Sequence, residues 1–420
     1  MTRLKNRIQV FEHNKLIIGR QYDGVLFSKK HYDALFKLNE LHNDKYFRPL
    51  PGSIYFKQYV GVIQVEGLTI EILPKIDKAS TDTNLWQEVL IDMLRVARKI
   101  KVQNTDNANV EKQNRHLLDI YFEWYLNEVK ALIHGGLIKQ YYQQTANVKA
   151  LKGKLEFAGH LSRNAVHKER FYTTHQVYGT DHHIHQIISK ALDIIEHFSK
   201  NSYIYSLCKT VKASFPEVSR ITVTPDTFNK LKENRKAAPY STALEIAKFI
   251  ILQYAPNIKN GNENMLALLF DMNMLWEQYI LAKLKTAAAN KNLIIHHQWG
   301  KPFWKTNKNK PDIVIEKKSG DENQKYFIID TKWKNISGSN PSIQDLRQMY
   351  AYNDYWSSTD AMLLYPAIHS KFDGFAEFNP IAGKTEHHKC GIAQLSIFLP
   401  DTNKLNHDIG NEILKWFGIK

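Results

Sequence analysis

Residues 311–334 read PDIVIEKKSGDENQKYFIIDTKWK, and the reading of the whole chain starts there. Two apolar runs, 313–315 and 326–329, flank the polar centre 318–323, KSGDEN. Apolar runs around a polar, glycine-containing centre predict a β-hairpin. Folded about Asp321, the chain puts Asp312 nine residues before the turn and Asp330 nine after it. Residues opposed in that way on an antiparallel pair sit roughly 4.5–5.5 Å apart. Lys332, two residues past Asp330, shares its face of the strand. Two carboxylates and an ammonium in so small a space are poor structural material and a good site for a hard cation.

The chemistry that suits such a site is metal-assisted hydrolysis. Cutting a phosphodiester needs a water activated near neutral pH and a place for charge on the phosphoryl oxygens. Mg²⁺ supplies both while keeping several of its own waters. Asp312 and Asp330 are expected as ligands, with the Thr331 backbone carbonyl as a third oxygen, and Lys332 is expected to orient the attacking water or stabilise developing charge. The bland alternative is a salt-bridge cluster at a hairpin rim.

Working outward, LLFDMNMLWEQYILAKL at 268–284 places Glu277 at the border of an apolar face, and the pattern predicts one long helix over 265–289. Glu277 is a candidate second carboxylate beside the metal, or an ordinary solvated acid. Residues 293–299 predict a strand. A helix is predicted over 343–355, where Gln344, Gln348 and Tyr352 fall on one stripe. Gln348 and Tyr352 are candidates to orient the lysine or a phosphate; a polar outer face explains them equally. Short strands at 361–366 and 393–399 complete a mixed sheet with helical cover. Lys301, Lys305, Lys308 and Lys310 stand before Asp312 with no acid among them, a strip suited to a phosphate backbone.

The 420 residues allow two or three domains, with 43% hydrophobic residues for their cores. A net charge of +15 and a pI of about 9.4 make nucleic acid the first partner to consider. No run approaches the roughly 20 apolar residues that span a bilayer. The charged opening MTRLKNRIQVFEHNKLIIG lacks a signal peptide's apolar core, and Cys208 and Cys390 are the sole cysteines. A cytoplasmic protein with no membrane partner is expected.

The organisation expected is α/β multidomain. It comprises a β-rich N-terminal domain (1–100), a mainly helical middle region (101–260) and a C-terminal mixed sheet flanked by helices (261–420). Near the N-terminus, alternating residues on both sides of Glu66-Gly67 predict a two-residue hairpin. Helices are predicted over 85–100, 117–133, 184–198 (with Asp181 as its cap) and 241–254. Glu386, His387, His388 and Cys390, like Asp181, His182, His183 and His185, are metal-capable in type but lack zinc spacing, so structural roles are expected. Tyr141-Tyr142 and Tyr203/Tyr205 are expected to pack rather than stack on bases. No GxxxxGK[ST] phosphate loop is present.

Taken together, these stretches resemble the McrC family, the nuclease subunits of McrBC-type modification-dependent restriction systems. Near the N-terminus the likeness rests on VGVIQVEGLTIEILPKI (60–76). In the middle it rests on YLNEVKALIHGGLIKQYYQQTANVKALKGKLEF (125–157) and YGTDHHIHQIISKALDII (178–195). The chain departs from the family around His185, where an asparagine is expected. The C-terminal third is similar to PD-(D/E)xK nucleases through LLFDMNMLWEQYI, NKPDIVIE, YFIIDTKWK and DLRQMYAY, in that order. The resemblance implies that Asp312, Asp330 and Lys332 form the catalytic triad and that Glu277 and Gln348 match the helix residues on either side. It also implies Mg²⁺, double-stranded and modified DNA as substrate, and an obligate AAA+ GTPase partner of McrB type. By the same resemblance this chain stimulates the partner's GTP hydrolysis, docks through its N-terminal part and acts in antiviral defence. A non-catalytic adaptor linking an NTPase to DNA, or a nuclease working alone on other nucleic acids, are the alternatives.

Overall fold

Glu66 and Gly67 both take positive φ, 47° and 73°. That pair of left-handed residues is what a two-residue hairpin turn demands. They join the strands Tyr59–Val65 and Leu68–Leu73 in the register Val65↔Leu68 to Gly61↔Ile72, as the sequence predicts. The strand Arg7–Phe11 runs parallel along the far side of Leu68–Leu73. A smaller sheet of Lys15–Ile17, Ser53–Phe56 and Phe47–Leu50 and the helix Lys29–Leu41 complete the β-rich N-terminal part.

The computed structural model describes residues 6–76, 82–98, 117–199, 201–231, 235–255, 265–318, 324–334, 336, 341–379, 387–400 and 402–419. The chain divides into two units: Met1–Ala108 with Leu269–Lys420, and Asn109–Leu268. The second unit is built on the helices Leu117–His134, His183–Phe198, Ser202–Ser214 and Ser241–Leu252. It also carries a nine-residue antiparallel pair, Gln140–Val148 against Phe171–Gly179, that the helical periodicities did not announce. Asp181 does not cap the following helix. His182 occupies the cap position, and Asp181 instead accepts from the Ser219 amide (2.8 Å) and hydroxyl (2.6 Å) and from the Gln186 side chain.

The predicted helix over 265–289 is two elements. Met265–Asp271 is a strand, and the helix runs from Met272 to Ala288. MLALLF is buried throughout and offers no polar face, which suits a buried strand better than an amphipathic helix. Asp271 then stops the strand and starts the helix, its carboxylate accepting from the Asn273 and Met274 amides. After this helix comes a six-stranded mixed sheet in the order Leu293–His297, Ile313–Lys317, Lys325–Thr331, Asp360–Ala367, Lys389–Ser396, Lys371–Glu377. The first three strands are antiparallel neighbours, and 325–331, 360–367 and 389–396 run parallel.

Alternation along these strands sorts their side chains onto two faces. Val314, Ile328 and Leu363 face the helix Ile343–Trp356, packing with Met349, Tyr352 and Trp356 in one buried cluster. The intervening residues serve the opposite face; there the rings of Phe327 and Phe417 lie 5.1 Å apart, and the helices Met272–Ala288, Thr83–Arg98 and Ile409–Trp416 pack together. Asp330 follows Ile328 by two, so it stands on the face of the 343–356 helix, at the strand's C-terminal end.

Candidate functional site

The central hairpin pairs Ile313↔Ile329 through Lys317↔Lys325. The same register carries Asp312, one residue before the ladder, opposite Asp330. The turn expected at 318–323 lies, from Ser319 onward, outside the described residues. Asp312 Oδ2 accepts from the Thr331 amide at 2.8 Å and from the Thr331 hydroxyl at 2.9 Å. In an extended strand a residue's N–H and C=O point to the same edge, so the Thr331 carbonyl is directed to the Asp312 side as well.

Asp330 is 2% exposed, and its Oδ2 lies 2.6 Å from Lys332 Nζ. Burial, and then the charge of Asp312, push the Asp330 carboxyl up to about 7 against the pull of Lys332. Burial alone would lower the Lys332 ammonium, but the Asp330 carboxylate more than offsets it and leaves the group raised. The ion pair with Asp330 thus favours the charged form of Lys332. The Asp312 charge that works against ionisation of Asp330 would be countered by a cation placed between them.

Glu277 arrives from the helix preceding the sheet and is held by two neighbours from the first strand's end. His297 Nε2 lies 2.8 Å from its Oε1, and the Gln298 side-chain amide donates to the same oxygen at 2.8 Å. The Gln298 backbone N–H in turn donates to the Asp312 carbonyl at 2.9 Å. Burial and the charge of Asp312 raise the Glu277 carboxyl against these hydrogen bonds. On the other flank, the Gln348 side chain donates to the Tyr352 hydroxyl (2.7 Å), which donates to the Lys310 carbonyl (2.9 Å). That pair fixes the backbone immediately before Pro311-Asp312. Gln344, the third member of the stripe, is exposed.

No motif or periodicity in the sequence points to His297, Gln298 or the Thr331 hydroxyl. Thr331 carries a weak signal, lying between Asp330 and Lys332; His297 and Gln298 carry none, since their role depends on contacts with Glu277, 20 and 21 residues away. Among the described residues the other metal-capable side chains have other partners. His185 Nδ1 lies 2.8 Å from the Thr180 carbonyl, His182 Nε2 lies 3.1 Å from the Ile138 carbonyl, and His388 packs against the Tyr350 ring. Glu386 lies outside the described residues. Cys208 and Cys390 are buried and unpaired with each other, and burial pushes both thiols well up, away from thiolate chemistry.

Among the described residues no group of three or more His, Cys, Asp or Glu side chains converges on one point. The donors available at this site are therefore two carboxylates, Asp312 and Asp330, and a backbone carbonyl. That set fits Mg²⁺, which is commonly held by one or two carboxylates with water and substrate phosphates filling its remaining positions. A zinc-type cage it is not.

A mixed sheet between helices, with aspartates opposed on two neighbouring strands and a lysine two residues beyond the second, is a PD-(D/E)xK-like arrangement. Residues 54–366 match the family described as "McrBC 5-methylcytosine restriction system component", and the chain belongs to that family. The type IV methyl-directed restriction enzyme EcoKMcrBC of Escherichia coli (strain K12) is 27% identical over 164 residues. That match spans 38% of this chain and 47% of the relative, less than half of the relative's length. Among solved structures, the refined half-complex from the tetradecameric assembly of Thermococcus gammatolerans McrB AAA+ hexamers with bound McrC contains a similar chain. It matches with a TM-score of 0.66 and 17% identity, over 98% of this chain and 99% of that one. At that identity the likeness speaks for the fold. Among the described residues no helix is long and apolar enough to cross a membrane.

Proposed function

We propose that this chain is the cutting subunit of a McrBC-type restriction complex, an Mg²⁺-dependent endonuclease acting on modified double-stranded DNA in concert with an AAA+ GTPase. The observation that carries the reading is the opposed Asp312 and Asp330 with Lys332 Nζ 2.6 Å from Asp330, in a chain of this family.

Asp312, Asp330 and the Thr331 carbonyl are the groups that would hold the metal. Held there, Mg²⁺ would supply activation of a water and neutralisation of charge on the phosphate. Asp312 is fixed in place by the Thr331 amide and hydroxyl, which both donate to its Oδ2. Lys332 keeps its proton and presents positive charge where the phosphoryl oxygens gain negative charge. Glu277, steadied by His297 and Gln298, provides a further carboxylate on the Asp312 side. Gln348 and Tyr352 act on position, setting the backbone that leads into Asp312.

The partner reading is supported by the family and by the Thermococcus assembly, which is one of McrB AAA+ hexamers with bound McrC. Residues 1–100 and the helical region 101–260 are assigned to docking and GTPase stimulation, and 261–420 to cleavage. The test is reconstitution with the AAA+ subunit, GTP, Mg²⁺ and methylated duplex DNA. Cleavage that requires all four supports the reading. Cleavage that proceeds without partner and GTP points to a nuclease working alone, and no cleavage under any combination points to an adaptor.

A further inference from the structure

Between Gln298 and Asp312 the chain leaves the sheet and returns as a two-stranded hairpin, Lys301–Trp304 against Asn307–Asn309. This pair joins no other strand among the described residues. Its root is pinned on the candidate site from both sides. Gln298 is bonded to Glu277 and to the Asp312 carbonyl, and the Lys310 carbonyl accepts from Tyr352. Lys301 belongs to the root too, its ammonium donating to the Tyr355 carbonyl at 2.7 Å and lying 5.1 Å from the Trp356 ring centre.

The outer part has a different character. Phe303 and Trp304 are 57% and 59% exposed, although burial of such rings is strongly favoured in water. A bulge between Pro302 and Trp304 breaks the ladder at Phe303, a device that re-aims a side chain. Lys305 holds the turn with a φ of 52°, a left-handed conformation seldom taken by lysine, and its ammonium sits 4.5 Å from the Trp304 ring centre. Lys308 and Lys310 are exposed as well, and 299–311 contains no acid to neutralise any of them. Seven residues separate Lys305 from Asp312, so the tip reaches at most roughly 25 Å from that carboxylate.

We propose that the 301–310 hairpin is a DNA-gripping arm, with Lys305 and Lys308 on phosphates flanking the cut and the Phe303 and Trp304 rings laid against bases or sugars in the adjoining groove. The inference rests on the nuclease reading for its substrate, duplex DNA, and names the surface that holds that substrate. Exposed rings interleaved with lysines suit this occupant: the lysines meet the phosphate charge and the rings meet the flat, less polar faces between phosphates.

The test is binding of a fluorescein-labelled methylated duplex to the full chain by anisotropy, in EDTA so that nothing is cut. Removing two phosphate contacts in K305A/K308A should lower the slope of log affinity against log salt by about 2. Affinity should then fall roughly tenfold less between about 50 and 200 mM salt than for wild type. F303A/W304A should bind roughly tenfold or more weakly with the salt slope unchanged, and K305R/K308R should restore the wild-type slope. Unchanged melting temperatures identify variants that remain folded. Variants that bind as wild type does overturn the arm, as does a wild-type chain with no affinity for the duplex. Neither outcome touches the cleavage reading, which is judged separately by whether D312A and D330A cut in the reconstituted complex.

Discussion

Asp330 is a residue whose environment is unfavourable without a ligand. It is buried, faces Asp312, and has Lys332 as its close partner. An acid in that position costs stability that a bound cation returns. Mg²⁺ is therefore expected to raise the melting temperature of the wild-type chain and leave D330N unmoved, while D330N in EDTA melts above wild type in EDTA. Differential scanning calorimetry of the four samples checks this. Glu12 is a second strained acid, 4% exposed, accepting from the Trp333 indole N–H at 2.7 Å and the Lys75 amide at 3.1 Å. Burial dominates those hydrogen bonds and pushes it up to about 7 from an ordinary 4.5. The folded chain thus binds this proton more tightly than the unfolded chain. Its stabilising effect is complete below about 4.5 and is lost as pH rises through about 7, on the order of 2–3 kcal/mol across the window. Urea denaturation at pH 5 and pH 8 should show that loss in wild type and a smaller one in E12Q, with E12Q the more stable at pH 8. The Asp312–Asp330 pairing was legible from the sequence because a hairpin's period of two fixes what faces what. The Glu12–Trp333 contact was not, since it joins residues 321 apart.

The elements carry the site by their ends. The helix Met272–Ala288, which delivers Glu277, begins where Asp271 accepts from the Asn273 and Met274 amides. D271A should cost about 1 kcal/mol of stability through the lost cap, measurable by chemical denaturation. Its larger effect on cleavage would show that Glu277's placement matters to the chemistry. This helix starts seven residues later than the sequence predicts, because an all-apolar run such as MLALLF has no periodicity with which to distinguish strand from helix. The capping aspartate was the signal that could have divided them. At the other end of the fold, Ser357 closes the Ile343–Trp356 helix at a φ of 51°, where a glycine is unstrained. S357G should stabilise the chain by roughly 0.5 kcal/mol or more while leaving cleavage intact. The mixed sheet itself was legible, as alternating and apolar runs of the right length announce strands. The 140–148 and 171–179 pair was hidden because nearly all its residues are exposed or only half-buried and carry no apolar stripe.

On the scale of the whole molecule, the chain joins its first hundred residues and its C-terminal sheet in one unit and interposes a second between them in sequence. That connectivity is invisible to composition and to motif order. It means that removing the N-terminus to test docking would also expose Trp333 and the packing around Glu12. Partner contacts are better probed by surface substitutions within 117–255. The central claim is that Asp312 and Asp330 form the cutting centre of a machine whose GTP-driven part resides in another chain. The most direct measurement is a single reconstituted reaction in which DNA cleavage and GTP hydrolysis are followed together for wild type and D330A. The account predicts that D330A loses cleavage by at least roughly a hundredfold while stimulating GTP hydrolysis to within about twofold of wild type. D330A that still cuts the duplex at the wild-type rate would contradict it.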